Sequence, residues 1–301
     1  MELWIPITIV AAFMQNLRSA LQKHLKAKLS DGGATYVRFF YAWPFAVVYC
    51  WALVHFGGYA VPEVNQTFLL YCLAGGVSQI VFTFLLLYLF SFHNFAVGTI
   101  YSKTEIIQVA FLGLILLGDE LTATATAAIA LSVVGVIVLS AAKTKITVGN
   151  LLAGLTERPT LIGLVCGAFL GASVVFFRGG ALALDGGDFI IRAAFTLAVS
   201  VVIQTAIMTV YLKIREPGQI TEVLRNWPIS LAVGVAGVLG SIGWFTAFTI
   251  QNAAYVRALG QIELIFTFIA SLLFFKERTT PREVFGIGVI VAAILLLVLG
   301  G

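Results

Sequence analysis

The chain has 301 residues, of which 60% are hydrophobic and 11% are charged, with 18 Lys and Arg against 14 Asp and Glu. Because a soluble domain usually carries about 25% charged residues, this composition excludes a disordered chain and argues against an ordinary soluble enzyme. The net charge of +4 does not indicate a nucleic-acid partner, since no dense basic patch stands outside apolar sequence. We therefore expect a polytopic membrane protein.

Ten apolar segments are long enough to cross a bilayer, whose hydrocarbon core needs about 20 residues of helix. They lack the alternation of a membrane β-barrel, and backbone hydrogen bonding within lipid then requires helices. The predicted fold class is all-α and integral to the membrane, with ten transmembrane helices joined by short connections. In chain order the predicted spans run over 4–22, 34–56, 67–90, 95–117, 123–142, 160–183, 188–212, 228–250, 254–275 and 282–300.

Three sequence matches at a nearly constant offset relate the two halves of the chain. If each half holds five helices, the second half crosses the membrane in the opposite sense, which gives the inverted repeat that supports alternating access. We predict a first five-helix repeat over 1–142, a connecting segment over 143–159 and a second repeat over 160–301. The matches pair 31–38 with 185–192, 94–105 with 252–263, and Glu120 and Thr122 with Glu277 and Thr279.

The end of each half carries a pattern of its own. An apolar helix ends in an acidic turn, LLGDELT at 116–122 and LLFFKERTT at 272–280, and an apolar helix with glycines follows. In this pattern the chain resembles, over nearly its whole length, a ten-helix member of the drug/metabolite transporter superfamily of the EamA type. The resemblance implies a carrier of small metabolites or drugs, usually an exporter. It also implies a central cavity lined chiefly by helices one, three, four, six, eight and nine.

Polar side chains inside the spans mark the candidate substrate-binding residues, because a charge at the bilayer centre costs about 2.5–3.5 kcal/mol even on the most lenient scale. Gln15, Arg18 and Gln22 share one face of the first span. Lys103 lies about 200° around the fourth span from Glu105, so these two do not pair within the helix. The candidate set is Gln15, Arg18, Gln22, Tyr101, Lys103, Glu105, Arg178, Trp244, Arg257, Gln261 and Glu263.

Two interpretations of Glu105 and Glu263, which the repeat aligns, stay open. They bind substrate or a proton, or they belong to buried ion pairs that brace each half. Glu263 does not share a face with Arg257, so we expect its partner on another helix. We expect Arg38 and Arg192, near span ends, to extend toward the lipid headgroups.

The balance of charged residues inside the spans also indicates the charge of the substrate. The deeper cations outnumber the deeper acids, which favours a substrate with an anionic group or a zwitterion, such as an organic acid or an amino acid. The first span has no acidic residue after Glu2, which disfavours the cation-binding mechanism of the small multidrug resistance relatives. The deeper cations are Arg18, Lys103, Arg178 and Arg257, and the deeper acids are Glu105 and Glu263.

These observations predict a secondary transporter in the bacterial inner membrane, an exporter or exchanger that is not an enzyme. The chain has no GxxxxGK[ST] motif for ATP, and its three cysteines form no CxxC pair, so we expect no cofactor and no metal. The expected partners are a small-molecule substrate, the bilayer and protons as a coupling ion, with the protein a monomer or homodimer. The alternatives are a lipid-linked group flippase of the same fold and an integral-membrane transferase.

Positive residues near span ends predict the orientation. Twelve Lys and Arg lie in the connections after the odd-numbered spans, whereas the termini and the other connections carry almost none. This bias places both termini outside the cytoplasm, although members of the resembled family are often described with both termini inside.

Reporter fusions test the orientation. Alkaline phosphatase fused to the C-terminus should be active, since that enzyme folds only outside the cytoplasm, and the same reporter in the 143–159 segment should be inactive. A fluorescent C-terminal fusion with a reporter restricted to the cytoplasm would contradict the prediction.

Overall fold

The computed structural model describes residues 2–89, 102–144, 157–273 and 279–300. Thirteen helices account for most of these residues, and no β-strand occurs among them. The helices are α1 Trp4–Leu25, α2 Asp31–Phe40, α3 Trp43–His55, α4 Gln66–Leu89, α5 Glu105–Leu117, α6 Ala123–Thr144, α7 Arg158–Ala183, α8 Phe189–Arg215, α9 Gln219–Arg225, α10 Trp227–Ile250, α11 Ala253–Gly260, α12 Ile262–Leu273 and α13 Pro281–Gly300.

Seven helical segments in the described part of the chain are long and apolar enough to cross a membrane. The all-α membrane class is therefore confirmed, whereas the count of ten spans and the inverted repeat stay predictions. The seven segments are Asp31–His55, Gln66–Leu89, Ala123–Ala142, Arg158–Ala183, Phe189–Arg215, Trp227–Ile250 and Pro281–Gly300.

Side-chain caps begin several helices. The Ser30 hydroxyl accepts a hydrogen bond from the Gly33 amide at the start of α2, and Asp188 accepts one from the Ile190 amide at the start of α8. Each cap satisfies one of the amides that a first helical turn leaves without a partner. At the other end of a helix, Gly118 takes a left-handed conformation with φ 68° and ends α5, which a residue with a side chain adopts at a cost.

The chain forms two compact units. Unit 1 comprises Met1–Ile80 and Phe176–Gln251, and unit 2 comprises Val81–Val175 and Asn252–Gly301. Both units contain residues from each predicted repeat, and the repeat boundaries stay a prediction.

In unit 1, α1 packs closely against α10 through glycines of α10. A Cβ atom placed on Gly240 would lie 3.4 Å from the Gln15 nitrogen, and one on Gly243 would lie 2.8 Å from the Ala11 Cβ atom. Small residues of this kind let two backbones approach in lipid, where dispersion contacts between helices replace the hydrophobic effect. The first span is thereby fixed by its packing on α10.

In unit 2, α6 and α13 make the corresponding close pair. A Cβ atom on Gly286 of α13 would lie 2.8 Å from the Leu139 nitrogen, whereas a Cβ atom on Gly288 would meet nothing within 4 Å. Val136, Leu139 and Ile290 form the buried cluster at this contact. The close contact therefore requires a residue without a side chain at Gly286. Position 288 imposes no such requirement.

The two glycines give a matched test of this packing. Gly286→Ala should destabilise the protein by about 1–3 kcal/mol, because the Leu139 backbone must move to admit the new methyl group. Gly288→Ala should cause no loss, since its methyl group enters open space. Thermal unfolding of both variants in detergent measures the difference, and equal melting temperatures would contradict the prediction.

Candidate functional site

In the described part of two predicted spans, the backbone turns immediately before an acidic residue or close to one. In the fourth span the backbone turns at Lys103 and Thr104, and α5 begins at Glu105. In the ninth span α11 ends at Gly260, and Glu263 lies in the first turn of α12. The prediction of one continuous ninth helix was therefore wrong.

Both breaks have the same hydrogen-bond geometry. The Ile107 amide donates to the Thr104 carbonyl at 3.1 Å, and the Leu264 amide donates to the Gln261 carbonyl at 2.9 Å. These are i to i+3 bonds, which tighten the backbone at the start of each following helix. Each carboxylate thus lies at a helix N-terminus, where the amide groups and the helix dipole favour negative charge.

The two carboxylates form two ion pairs in unit 2. Arg257 Nη2 donates to Glu105 Oε1, and the two side chains are 3% and 1% exposed. Lys103 Nζ donates to Glu263 Oε1, and these side chains are 24% and 10% exposed. The expected partner of Glu263 on another helix is therefore Lys103. We call these four residues the charge cluster, in which two positive and two negative groups balance.

Two glutamine amides and a glycine of α7 lie near residues of the charge cluster. Gln261 is fully buried, and its Oε1 atom has no hydrogen-bond partner within the described ranges. Gln108 Nε2 makes a long contact of 3.5 Å to the Leu164 carbonyl of α7. A Cβ atom on Gly167 of α7 would lie 3.0 Å from the Ser102 carbonyl, so α7 approaches the turn before α5 closely. Helix α7 therefore lies against the turn that carries Lys103.

In unit 1, Arg178 has structural partners. Its Nη1 atom donates to the carbonyls of Phe248 at 2.7 Å and Gln251 at 2.8 Å. These carbonyls belong to the C-terminal end of α10, where the last groups of a helix lack partners within it and a cation is favoured. Arg178 therefore caps α10, and its role as a substrate ligand stays a prediction.

The other candidates in unit 1 take part in helix packing. Gln22 Nε2 donates to the Ala34 carbonyl at 2.7 Å, which ties α1 to α2. Trp244 is buried, and its ring stacks on Phe248 at 5.6 Å between centroids. Gln15 is half-buried, and Arg18 is buried with its side chain over Gly237. Tyr101 lies outside the described residues.

Unit 1 also contains a cavity that the sequence analysis missed. It is small and has room for about one water molecule. Its polar lining comes from Arg38, Gln79, Gln204 and Ser241. Arg38 thus lines a cavity, although its position near a span end suggested only a headgroup contact. The two glutamines lie near the middle of α4 and α8, and a polar residue at mid-span was the signal that could have revealed the site.

The comparisons with known proteins agree with this architecture. Residues 158–299 match the model of the EamA-like transporter family. The match supports membership of the chain in the drug/metabolite transporter superfamily, so the resemblance seen in the sequence is confirmed. The EamA family indicates a membrane transporter of the drug/metabolite transporter type.

One solved structure, described only as "Crystal structure of protein", has the same fold. The two sequences are 14% identical, and the match covers 98% of this chain and 96% of the other, with a TM-score of 0.70. At this identity the likeness shows the fold alone. No curated protein matches the sequence significantly.

The capping role of Arg178 can be measured. Arg178→Gln should lower the free energy of unfolding by about 1.5–3 kcal/mol, because hydrogen bonds from a charged donor to the α10 carbonyls are lost. Arg225→Gln, which removes an exposed arginine paired with Glu222, is the control and should change little. If Arg178→Gln kept the melting temperature of the unmodified protein, the hydrogen bonds of Arg178 to α10 would make no contribution to stability.

Proposed function

We propose that the protein is a secondary transporter of a small polar metabolite, anionic or zwitterionic, such as an amino acid or an organic acid. It works by alternating access as an exporter or exchanger in the bacterial inner membrane. The observation that carries the proposal is the charge cluster, which is largely buried and lies at the turns that precede α5 and α12. In the resembled family these two helices, the fourth and the ninth, line the central cavity.

Breaks at these positions support a transport role. Irregular backbone at membrane depth is tolerated where it is buried in protein or lines a cavity. In secondary transporters such broken helices direct their N-termini toward anionic groups of the substrate. The first turns of α5 and α12 offer amides and a positive dipole in this way, and Glu105 and Glu263 occupy these ends when no substrate is bound.

The balance of the charge cluster favours a zwitterion among the proposed substrates. Removal of one partner from a buried ion pair is strongly unfavourable, by about 3–5 kcal/mol. An amino acid avoids this cost, because its carboxylate can replace Glu105 at Arg257 while its ammonium group pairs with the released Glu105. A simple anion leaves one carboxylate of the cluster without a cation. Glu105 and Glu263 are also the groups of the cluster that can take up a proton, so proton coupling is assigned to them.

Two variants distinguish a role of the Lys103–Glu263 ion pair in transport from a role in stability alone. Glu263→Gln leaves Lys103 without its anion, so we expect loss of stability and of uptake. Lys103→Met with Glu263→Met removes the whole ion pair and should recover stability, since apolar replacement of a buried pair is often tolerated. We expect uptake of labelled substrate into proteoliposomes to remain at least tenfold below the unmodified rate in the double variant.

The substrate for this assay comes from a thermal-shift screen of purified protein against amino acids, organic acids, phosphorylated sugars and quaternary amines. Glu222→Gln with Arg225→Gln, which removes an exposed pair of unit 1, is the matched control and should transport normally. If the Lys103→Met, Glu263→Met variant transported substrate at the rate of the unmodified protein, the ion pair would serve stability alone. Its place in the substrate site would then be refuted. Stabilisation by quaternary amines alone would refute the proposed substrate class.

A further inference from the structure

The acidic turn at residues 118–122 of unit 2 has no part in the proposed site, although it belongs to the pattern that ends each half of the sequence. It follows α5 and is fixed to that helix. The Gly118 amide donates to the Leu114 carbonyl and the Asp119 amide donates to the Gly113 carbonyl, each at 3.1 Å. These bonds satisfy carbonyls at the end of α5 that have no partner within the helix. The acidic turn therefore has a defined position relative to α5.

The acidic turn contacts the first turn of α11, the helix that carries Arg257. The Thr122 amide donates to the Tyr255 hydroxyl at 3.2 Å, and the Thr122 and Tyr255 hydroxyls also lie 3.2 Å apart. Asn252, which precedes α11, accepts a hydrogen bond from the Ala254 amide and caps the helix. Its Nδ2 atom makes a long contact of 3.5 Å to the carbonyl of residue 120 in the acidic turn. The start of α11 is thus joined to the acidic turn.

Helix α11 is therefore attached near both ends of α5. Arg257 pairs with Glu105 in the first turn of α5, and Tyr255 contacts Thr122, which follows the last turn. Because α5 has 13 residues, it is about 20 Å long. Tyr255 and Arg257 lie about 200° apart around α11, so they use nearly opposite faces of that helix. Together the two contacts restrict both the position of α11 and its rotation.

The contact at Tyr255 gains importance when a substrate binds. In the proposed function the substrate carboxylate replaces Glu105 at Arg257, so the ion pair no longer joins α11 to α5. The hydrogen bonds of Tyr255 do not involve Arg257 and continue to hold α11. A helix of eight residues depends on such tertiary contacts, because helices shorter than about 12–15 residues are marginal by themselves.

We propose that Tyr255 is a positioning residue, which holds α11 on the acidic turn so that Arg257 is directed toward Glu105 and toward a substrate carboxylate. The part that concerns the substrate rests on the proposed function, whereas the pairing of Arg257 with Glu105 does not. The tyrosine hydroxyl is the group that matters, because it both accepts from the Thr122 amide and meets the Thr122 hydroxyl. A phenylalanine keeps the ring and loses both contacts.

A double-mutant comparison of the purified full chain tests the coupling without any substrate. Tyr255→Phe should lower the melting temperature by about 1–5 °C. In a background of Glu105→Met with Arg257→Met the same change should lower it by less than half as much, because contacts that act through one another are not additive. Tyr36→Phe, which removes a hydroxyl contact of 2.9 Å to Thr209 in unit 1, is the matched control and should cause equal shifts in both backgrounds.

Glu105→Gln with Arg257→Gln serves as the background if the methionine variant does not fold. Equal shifts for Tyr255→Phe with and without the ion pair would overturn the proposal, since the two contacts would then be independent.

Uptake into proteoliposomes tests the effect on the substrate. Tyr255→Phe should raise KM about two- to tenfold and leave kcat unchanged, the change expected when one hydrogen bond of ordinary strength no longer supports binding. A role in stability alone would reduce the amount of active protein and leave KM as it is. Thr122→Ser keeps the amide and a hydroxyl and should retain the normal KM, as should Tyr36→Phe.

An unchanged KM in Tyr255→Phe would overturn the proposal. If the unmodified protein transports none of the compounds of the thermal-shift screen, the proposed function fails, and the double-mutant comparison alone decides the role of Tyr255.

Discussion

A bilayer core offers no water to a charge or to a backbone amide, and the described structure follows from this constraint. The long apolar segments form helices, because only internal hydrogen bonds can satisfy their backbones. Where a helix ends or breaks inside a span, a charged side chain or a tight i to i+3 bond supplies the missing partner. Arg178 does so at the end of α10, and the turns before Glu105 and Glu263 do so at the starts of α5 and α12.

The same constraint decides how the helices pack. Between helices in lipid, close contact and hydrogen bonds replace the hydrophobic effect. Gly243 and Gly286 bring two helix pairs together through the absence of a side chain, and Gln22 joins α1 to a backbone carbonyl of α2. The protein therefore uses its few polar groups inside the spans mainly to join one element to another, and those that line a cavity or meet at a helix break are the candidates for function.

Much of the fold and part of the candidate site could be predicted from the sequence, since hydropathy and the cost of buried charge depend on local composition. The all-α membrane class and the burial of Glu105 and Glu263 were foreseen on those grounds. Their pairing was not, because Glu105 meets a partner 152 residues away and Lys103 meets one 160 residues away. Arg38 was expected to reach the lipid headgroups, because it lies near the end of a predicted span. The cavity beside it follows from the packing of α2 with α8 and α10, which the sequence does not reveal.

The balance of the charge cluster also restricts how the protein can move. A motion that separates α5 from α11 would leave Glu105 and Arg257 without partners in a low dielectric, at a cost of several kcal/mol. In the transport cycle that we propose, this cost falls when a zwitterion enters, since each charge then keeps a partner throughout the motion. The empty protein would meet a barrier that the loaded protein avoids, so movement without substrate is suppressed. The same ion pairs that brace unit 2 would thereby favour exchange of one substrate for another over a leak of ions through an unoccupied site.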